Sequence, residues 1–159
     1  MKTPLTFLLS LTFLFLFSGS VYGGDSQDGW DAYKRKDYKT AFSLWKPLAE
    51  HVNVTAQYNL GHMYEKGKGV PQDYKEAVRL YRLSAEQGDV DAQLKLGVSY
   101  GMGRGVPKDY ALAHMWWNLS GSNGNKEAAE NRDIVEKRMT PSQIEKAQEL
   151  ARDWKPTKK

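Results

Sequence analysis

The feature that most limits what this 159-residue chain can become is a stretch written twice at an offset of 36 residues. Ala56-Gln57-Tyr58-Asn59-Leu60-Gly61 returns as Ala92-Gln93-Leu94-Lys95-Leu96-Gly97. Gly67-Lys68-Gly69-Val70-Pro71-Gln72-Asp73-Tyr74 returns as Gly103-Arg104-Gly105-Val106-Pro107-Lys108-Asp109-Tyr110. The same offset carries Asp73, Tyr74 and Ala77 back to Asp37, Tyr38 and Ala41. A period of this length marks a solenoid, whose units bury their apolar faces only against their neighbours.

Within the unit, Ala56, Leu60, Gly61 and Tyr64 recur at three- and four-residue steps, which places them on one side of a helix. Tyr74, Ala77, Val78, Tyr81 and Ala85 do the same for a second helix, with Asp73 as its N-cap and Gly88 as its C-terminal stop. The Gly-x-Gly-Val-Pro segment between them breaks helix geometry, because glycine admits positive φ and proline lacks a donor. Each unit is therefore expected to be a helical hairpin, with small Ala and Gly side chains letting its two helices approach closely.

The pattern Ala-x-x-x-Leu-Gly-x-x-Tyr, then Gly-x-Gly-Val-Pro-x-Asp-Tyr, then Ala, resembles the Sel1-like repeat, a longer-loop relative of the tetratricopeptide repeat. The resemblance implies an all-α, right-handed solenoid of stacked antiparallel hairpins that binds other proteins and shares no catalytic residues. Units are expected at 56–91 and 92–127. A shortened tetratricopeptide-like hairpin is expected at 28–55, where Ala32 to Tyr38 spans six residues and Tyr64 to Tyr74 spans ten. Beyond Glu127 the glycine position is held by Asp133, so 128–159 is expected to form a helical cap. Its start is marked by Thr140-Pro141-Ser142-Gln143, an N-cap, a first-turn proline and a capping-box glutamine. Ile144, Ala147, Leu150, Ala151 and Trp154 give its helix one apolar face.

Upstream, Lys2 precedes an apolar run from Leu5 to Phe17 and a small-residue segment ending at Gly23. A run of about a dozen residues is short for a membrane span, which takes about 20, and the layout is that of a signal peptide over 1–23, with a mature domain at 24–159. The chain has no cysteine, which excludes a lipoprotein anchor, disulfides and thiolate zinc sites. An exported bacterial protein, periplasmic or secreted, is expected from the resemblance, with no membrane insertion after signal removal and a monomeric state. Net charge is +4, and its basic residues are mixed with acidic ones rather than gathered into a stripe, so nucleic acid is not an expected partner.

Three helix details complete the expectation. The first mature helix is expected to be short, about Asp28 to Lys34, and Pro47 to disturb the second helix between Ser43 and His51. Trp45, Tyr81 and Trp117 occupy one repeat position, which predicts aromatic packing between neighbouring hairpins rather than a ligand platform.

Candidate chemistry is sparse. His51, His62 and His114 form no local metal-binding pattern, and His114 in a packed helix is expected to be a hydrogen-bonded core residue. Asp37, Asp73 and Asp109 recur as caps. There is no Gly-x-Ser-x-Gly or Ser-x-x-Lys motif. Asn53-Val54-Thr55 and Asn118-Leu119-Ser120 match the glycosylation spacing, which recurs by chance. No catalytic residue, cofactor or metal is assigned. A non-enzymatic adaptor for a protein or peptide partner is the leading expectation. A hydrolase of cell-wall or β-lactam substrates and a structural or immunogenic secreted repeat protein are the alternatives.

At about 100° per residue, Tyr58, His62 and Lys66 point away from the packing side of their helix, and one period later Leu94, Val98 and Met102 do the same. Two readings of these six positions follow. They form a partner-binding ridge, or Leu94 and Val98 are buried by the next unit's first helix or by the C-terminal segment folding back.

Overall fold

The fold is that of a computed structural model, which describes residues 21–157. The apolar run of the expected signal peptide lies outside the described residues. Among the described residues the chain forms eight helices and no strands: α1 (Val21–Lys34), α2 (Tyr38–Glu50), α3 (Val54–Lys66), α4 (Tyr74–Ala85), α5 (Val90–Met102), α6 (Tyr110–Ser122), α7 (Lys126–Glu136) and α8 (Pro141–Asp153). None is long and apolar enough to cross a membrane. Helices α1 to α6 pair as three hairpins, and each hairpin packs on the next, so the chain is an α-solenoid.

Helix ends follow the 36-residue period. Asp37, Asp73 and Asp109 each accept a backbone N–H at the start of α2, α4 and α6, which is the capping expected from the sequence. Asn53, Asp89 and Asn125 cap α3, α5 and α7 in the same way, a second recurring set that also occupies the Asn53 side chain. Thr140 and Gln143 close the expected capping box. The inter-helix loop needs its second glycine for close approach. A Cβ at Gly105, which has φ +74°, would fall onto the Tyr74 carbonyl at the start of α4.

Inside each hairpin one aromatic residue of the second helix lies over one glycine of the first. Trp45 covers Gly29, Tyr81 covers Gly61, and Trp117 covers Gly97. The three aromatics thus sit over their own hairpin's glycine, because only a bare Cα leaves room for a ring at that helix crossing, and they also join clusters that reach the next unit, Trp45 with Leu60, Tyr81 with Leu96 and Trp117 with Val135. The residue one turn beyond the glycine adapts to the ring. Tyr33 packs against Trp45 at 5.8 Å between centroids, Glu65 accepts a 2.6 Å hydrogen bond from the Tyr81 hydroxyl, and Gly101 makes room for the larger Trp117.

Neighbouring hairpins are joined by buried polar staples that repeat with the same period. Gln57 Nε2 donates to the Ala49 carbonyl and Gln93 Nε2 to the Ala85 carbonyl, at 3.1 and 3.3 Å. The Ser84 and Ser120 hydroxyls donate to the Val54 and Val90 carbonyls within their hairpins. The Ala49 and Ala85 carbonyls also accept the backbone N–H groups of Val52 and Gly88, so each glutamine adds a second donor at the end of a helix.

Two expectations are corrected, and the C-terminal cap gains detail. Helix α1 already includes Val21, the first described residue and seven before Asp28, and so runs through Gly23. Helix α2 continues through Pro47 to Glu50 without a break. Pro47 is exposed, so its ring displaces no core neighbour. The C-terminal segment divides: α7 covers α6 and α5 as the first helix of a fourth unit would, whereas α8 turns back and lies along α6. Ala147 is buried, and Leu150, Ala151 and Trp154 join the core around Val78, Ala85, Met115 and Trp116. The tail then reaches α4, where Thr157 N–H donates to the Glu86 carbonyl at 2.7 Å.

Replacing Gly97 by Ala drives a methyl group into the Trp117 ring, and overpacking of this kind costs about 1–3 kcal/mol. Urea denaturation is expected to show that loss for Gly97→Ala, and the added Trp117→Leu substitution is expected to recover part of it.

Candidate functional site

The residue that follows the packing glycine points away from the hairpin partner. In successive first helices this position holds Trp30, His62 and Val98, and one period further α7 supplies Ile134. Trp30 is 45% exposed and Ile134 53%, while His62 and Val98 are half-buried. Contacts tie adjacent first helices together along this row: Tyr33 to His62 between α1 and α3, Lys95 Nζ to Glu65 at 3.6 Å between α3 and α5, and α5 against α7. The result is one mixed aromatic and aliphatic row across four units.

The row is best formed at its N-terminal end. Trp30, Tyr33, Trp45, Tyr58, Asn59 and His62 line a recess of about 140 Å³. Trp30 stacks on Tyr33 with ring centroids 5.6 Å apart and planes 5° from parallel. Lys68, which also lies over the Tyr33 and Tyr38 rings, donates to the Tyr33 hydroxyl at 2.8 Å. With its oxygen engaged as acceptor, Tyr33 directs its own proton to His62 Nδ1, 3.1 Å away. That assignment leaves Nε2 of a neutral imidazole carrying the proton.

Electrostatics support the neutral form. Burial pulls the His62 pKa down, with the positive charges of Lys95, Lys68 and Lys66 adding to the effect against the opposing pull of Glu65. The hydrogen bond to Tyr33 raises that of Lys68. Burial by itself would raise Glu65, but hydrogen bonds from Lys66 and Tyr81 and the charge of Lys95 hold it at about 2. Burial, assisted by the charges of Asp91, Asp89 and Glu65, pushes Tyr58 up to about 12, so its hydroxyl is a donor at neutral pH. The site thus combines flat aromatic surface with fixed donors and one fixed carboxylate, the mixture of apolar anchors and polar handles found in protein interfaces.

The six residues proposed from the sequence separate in three dimensions. Tyr58 and His62 come together in the recess. Lys66 is exposed and pairs with Glu65 at 2.9 Å. Leu94 is core, 8% exposed among Ala113, Trp117, Ala128 and Val135, and Val98 packs against the same cluster. The second of the two sequence readings therefore holds for Leu94, because α7 occupies the next first-helix position and covers it. Met102 is 61% exposed beside Ile134. Trp30 and Ile134 were missed. Four residues are absent from the first loop, which shifts Trp30 out of the 36-residue register, and Asp133 hides the register of Ile134. His114 is buried and bonded to Glu136 at 3.0 Å, as expected of a core histidine. No group of three or more His, Asp or Glu able to hold a metal occurs among the described residues.

A histidine whose folded pKa is depressed favours the folded state most when it is neutral. The unfolded chain binds the proton first as pH falls below 6.5, so the His62 contribution is retained above that value and lost on descent to its lower folded value. Glu65 remains ionised across that interval, and its share is lost only from about 4.5 toward 2. Thermal unfolding between pH 7 and pH 5 is expected to show a falling melting temperature, and His62→Gln is expected to flatten that slope.

A model of the Sel1 repeat matches residues 54–89 and 90–125, the two units that contain α3/α4 and α5/α6. The structure of c5321, described as a protective antigen present in uropathogenic Escherichia coli strains and displaying an SLR fold, superposes with a TM-score of 0.80 at 32% identity. That match covers 84% of this chain and 29% of c5321. A Sel1 repeat protein from Oxalobacter formigenes superposes with a TM-score of 0.68 at 26% identity, covering 79% of this chain and 54% of its own. No curated protein matches the chain. Two matched repeats, a preceding hairpin with the same glycine and aromatic contact and the shared solenoid fold make this chain a member of the Sel1-like repeat family.

Proposed function

We propose that this protein is a non-enzymatic, exported adaptor that holds a protein or peptide segment against the row Trp30, His62, Val98 and Ile134, with Tyr58, Lys66 and Met102 at its margins. One observation carries the reading. Trp30 and Ile134 leave large apolar surface in water at equivalent positions of the first and last first helices, where a merely solvated face would carry charge. Sel1 repeats commonly serve as scaffolds for protein interaction, which supports a partner of that class. Tyr58 and His62 supply polar handles beside the row, with exposed Lys66 at its edge, while Leu94 supports the row from within the core.

Trp30→Asp and Ile134→Asp replace exposed side chains and are expected to leave the melting temperature within about 1 °C, since surface substitutions away from buried features cost little. A photo-crosslinking residue at Met102 or Lys66 in the exported protein is expected to capture one recurring partner, and both substitutions are expected to abolish that capture. Unchanged capture would reject the row as the binding surface. Export is tested separately by intact mass: processing after Gly23 yields a chain that begins at Gly24.

A further inference from the structure

The seat that α8 fills recurs one repeat earlier, where no element of the described chain fills it. Helix α8 lies along α6, with Leu150, Ala151 and Trp154 in the core formed by Val78, Ala85, Leu96, Met115 and Trp116, and Trp154 edge-on to Trp116 at 6.3 Å. Subtracting 36 from those receptor positions gives Phe42, Ala49, Leu60, Arg79 and Leu80. All five line an open cleft of about 340 Å³ between α2 and α4. The cleft is thus the repeat equivalent of a seat that this protein already uses for an amphipathic helix. It is also continuous with that seat, because Thr157, in the tail that follows α8, lines it.

Differences between the two seats describe the occupant. Leu112 and Met115 of the filled seat correspond to Glu76 and Arg79, which pair with each other at 2.6 Å along one wall of the cleft. An occupant of the open cleft therefore needs a narrower apolar stripe than α8, with polar flanks. The stripe would rest on Leu83, 37% exposed, and the partly buried Phe42, with Leu60 and Leu80 buried beneath them. Helices α2 and α4 end side by side at Glu50 and Glu86, where two carboxylates add to the negative ends of two helix dipoles. Helix α8 runs in the same direction as α6, with Gln143 and Lys146 near Asp109 and Tyr110 at one end and Trp154 and the tail toward Glu86 at the other. The corresponding occupant would bring its C-terminal turn to the acidic end, which basic residues there complement; α8 itself carries Arg152 in its last turn.

The backbone marks the cleft as well. Val52 lines it with φ +65°, a left-handed conformation that a β-branched residue adopts at a cost. Its repeat equivalents are Gly88 and Gly124, at φ +95° and +98°. The chain therefore carries an apolar side chain at the cleft in a backbone position where its other repeats use glycine.

We propose that the α2–α4 cleft is a second docking site, separate from the first-helix row, for an amphipathic helix of a partner protein. That helix has about three turns, a narrow apolar stripe, and basic side chains in its last turn.

The test uses the full mature chain and a synthetic peptide of residues 140–159, with a scrambled peptide of equal charge as control. Titration followed by amide chemical shifts is expected to give saturable changes at Phe42, Lys46, Leu80 and Leu83, and none with the scrambled peptide. Leu83→Glu is expected to weaken binding at least tenfold. Val52→Gly is expected to weaken it severalfold while leaving the melting temperature unchanged or raised, which loss of a structural residue would not do. Glu50→Lys with Glu86→Lys is expected to weaken binding in low salt. Absence of saturable shifts, changes centred on Trp116 and Trp154 from exchange with the chain's own α8, doubling of mass by α8 exchange between copies, or changes at Trp30 and His62 would each overturn the proposal.

Discussion

A ring laid over a bare Cα is the contact on which the architecture rests. In every hairpin the second helix carries an aromatic residue that needs a glycine on the first, and the two positions keep their registry through all three pairs. Closing the helices this far buries a large aromatic surface, of the order of 150–250 Å² for each such side chain. It also fixes the rotation of both helices about their axes. Once that rotation is set, the position after each glycine must point outward, which is why Trp30, His62 and Val98 align although their chemistries differ. The outward row is thus a geometric consequence of the packing contact.

Size compensation along the first helices shows how exacting that contact is. Tyr81 ends in a hydroxyl and meets Glu65, which is held ionised by Lys66 and Lys95 as well. Trp117 ends in a larger ring and meets Gly101 in the corresponding place. A buried carboxylate beside a tryptophan would lack the donor that the tyrosine supplies, and a glycine beside the tyrosine would leave a void. Each pair works as a unit, and exchanging one member alone costs packing or hydrogen bonding. The same logic separates Gln57 from Gln93. Gln87 donates to the Gln57 side-chain oxygen at 2.8 Å, whereas the shorter Asn123 bonds to the Leu119 carbonyl and the Gln93 oxygen is left without a partner.

Beyond α6 the described helices go in two directions. Helix α7 continues the first-helix series and covers Leu94, while α8 leaves the series and lies along α6. Among the described residues the outward row of the first helices is therefore open from Trp30 to Ile134, and α8 lies on the second-helix side. An end cap stacked on α7 would have hidden Ile134, whose exposure gives the row its far apolar end.

From the sequence alone came the repeat unit, the hairpin, the Asp caps at 37, 73 and 109, the Thr140 capping box and the apolar face of α8, because each is encoded by neighbours within one or two helical turns. The family resemblance followed from the same local signals. The partners of each apolar side chain were decided only in three dimensions. Leu94 and Met102 lie eight residues apart on one helix face, yet Leu94 is buried and Met102 open, since α7 reaches only the first. The place of Trp30 in the outward row was hidden because a loop shortened by four residues conceals its registry, and that of Tyr33 because it depends on hydrogen bonds to Lys68 and His62, which lie 35 and 29 residues away in sequence. Helical periodicity names the side of a helix on which a residue lies; what covers that side depends on where the chain returns.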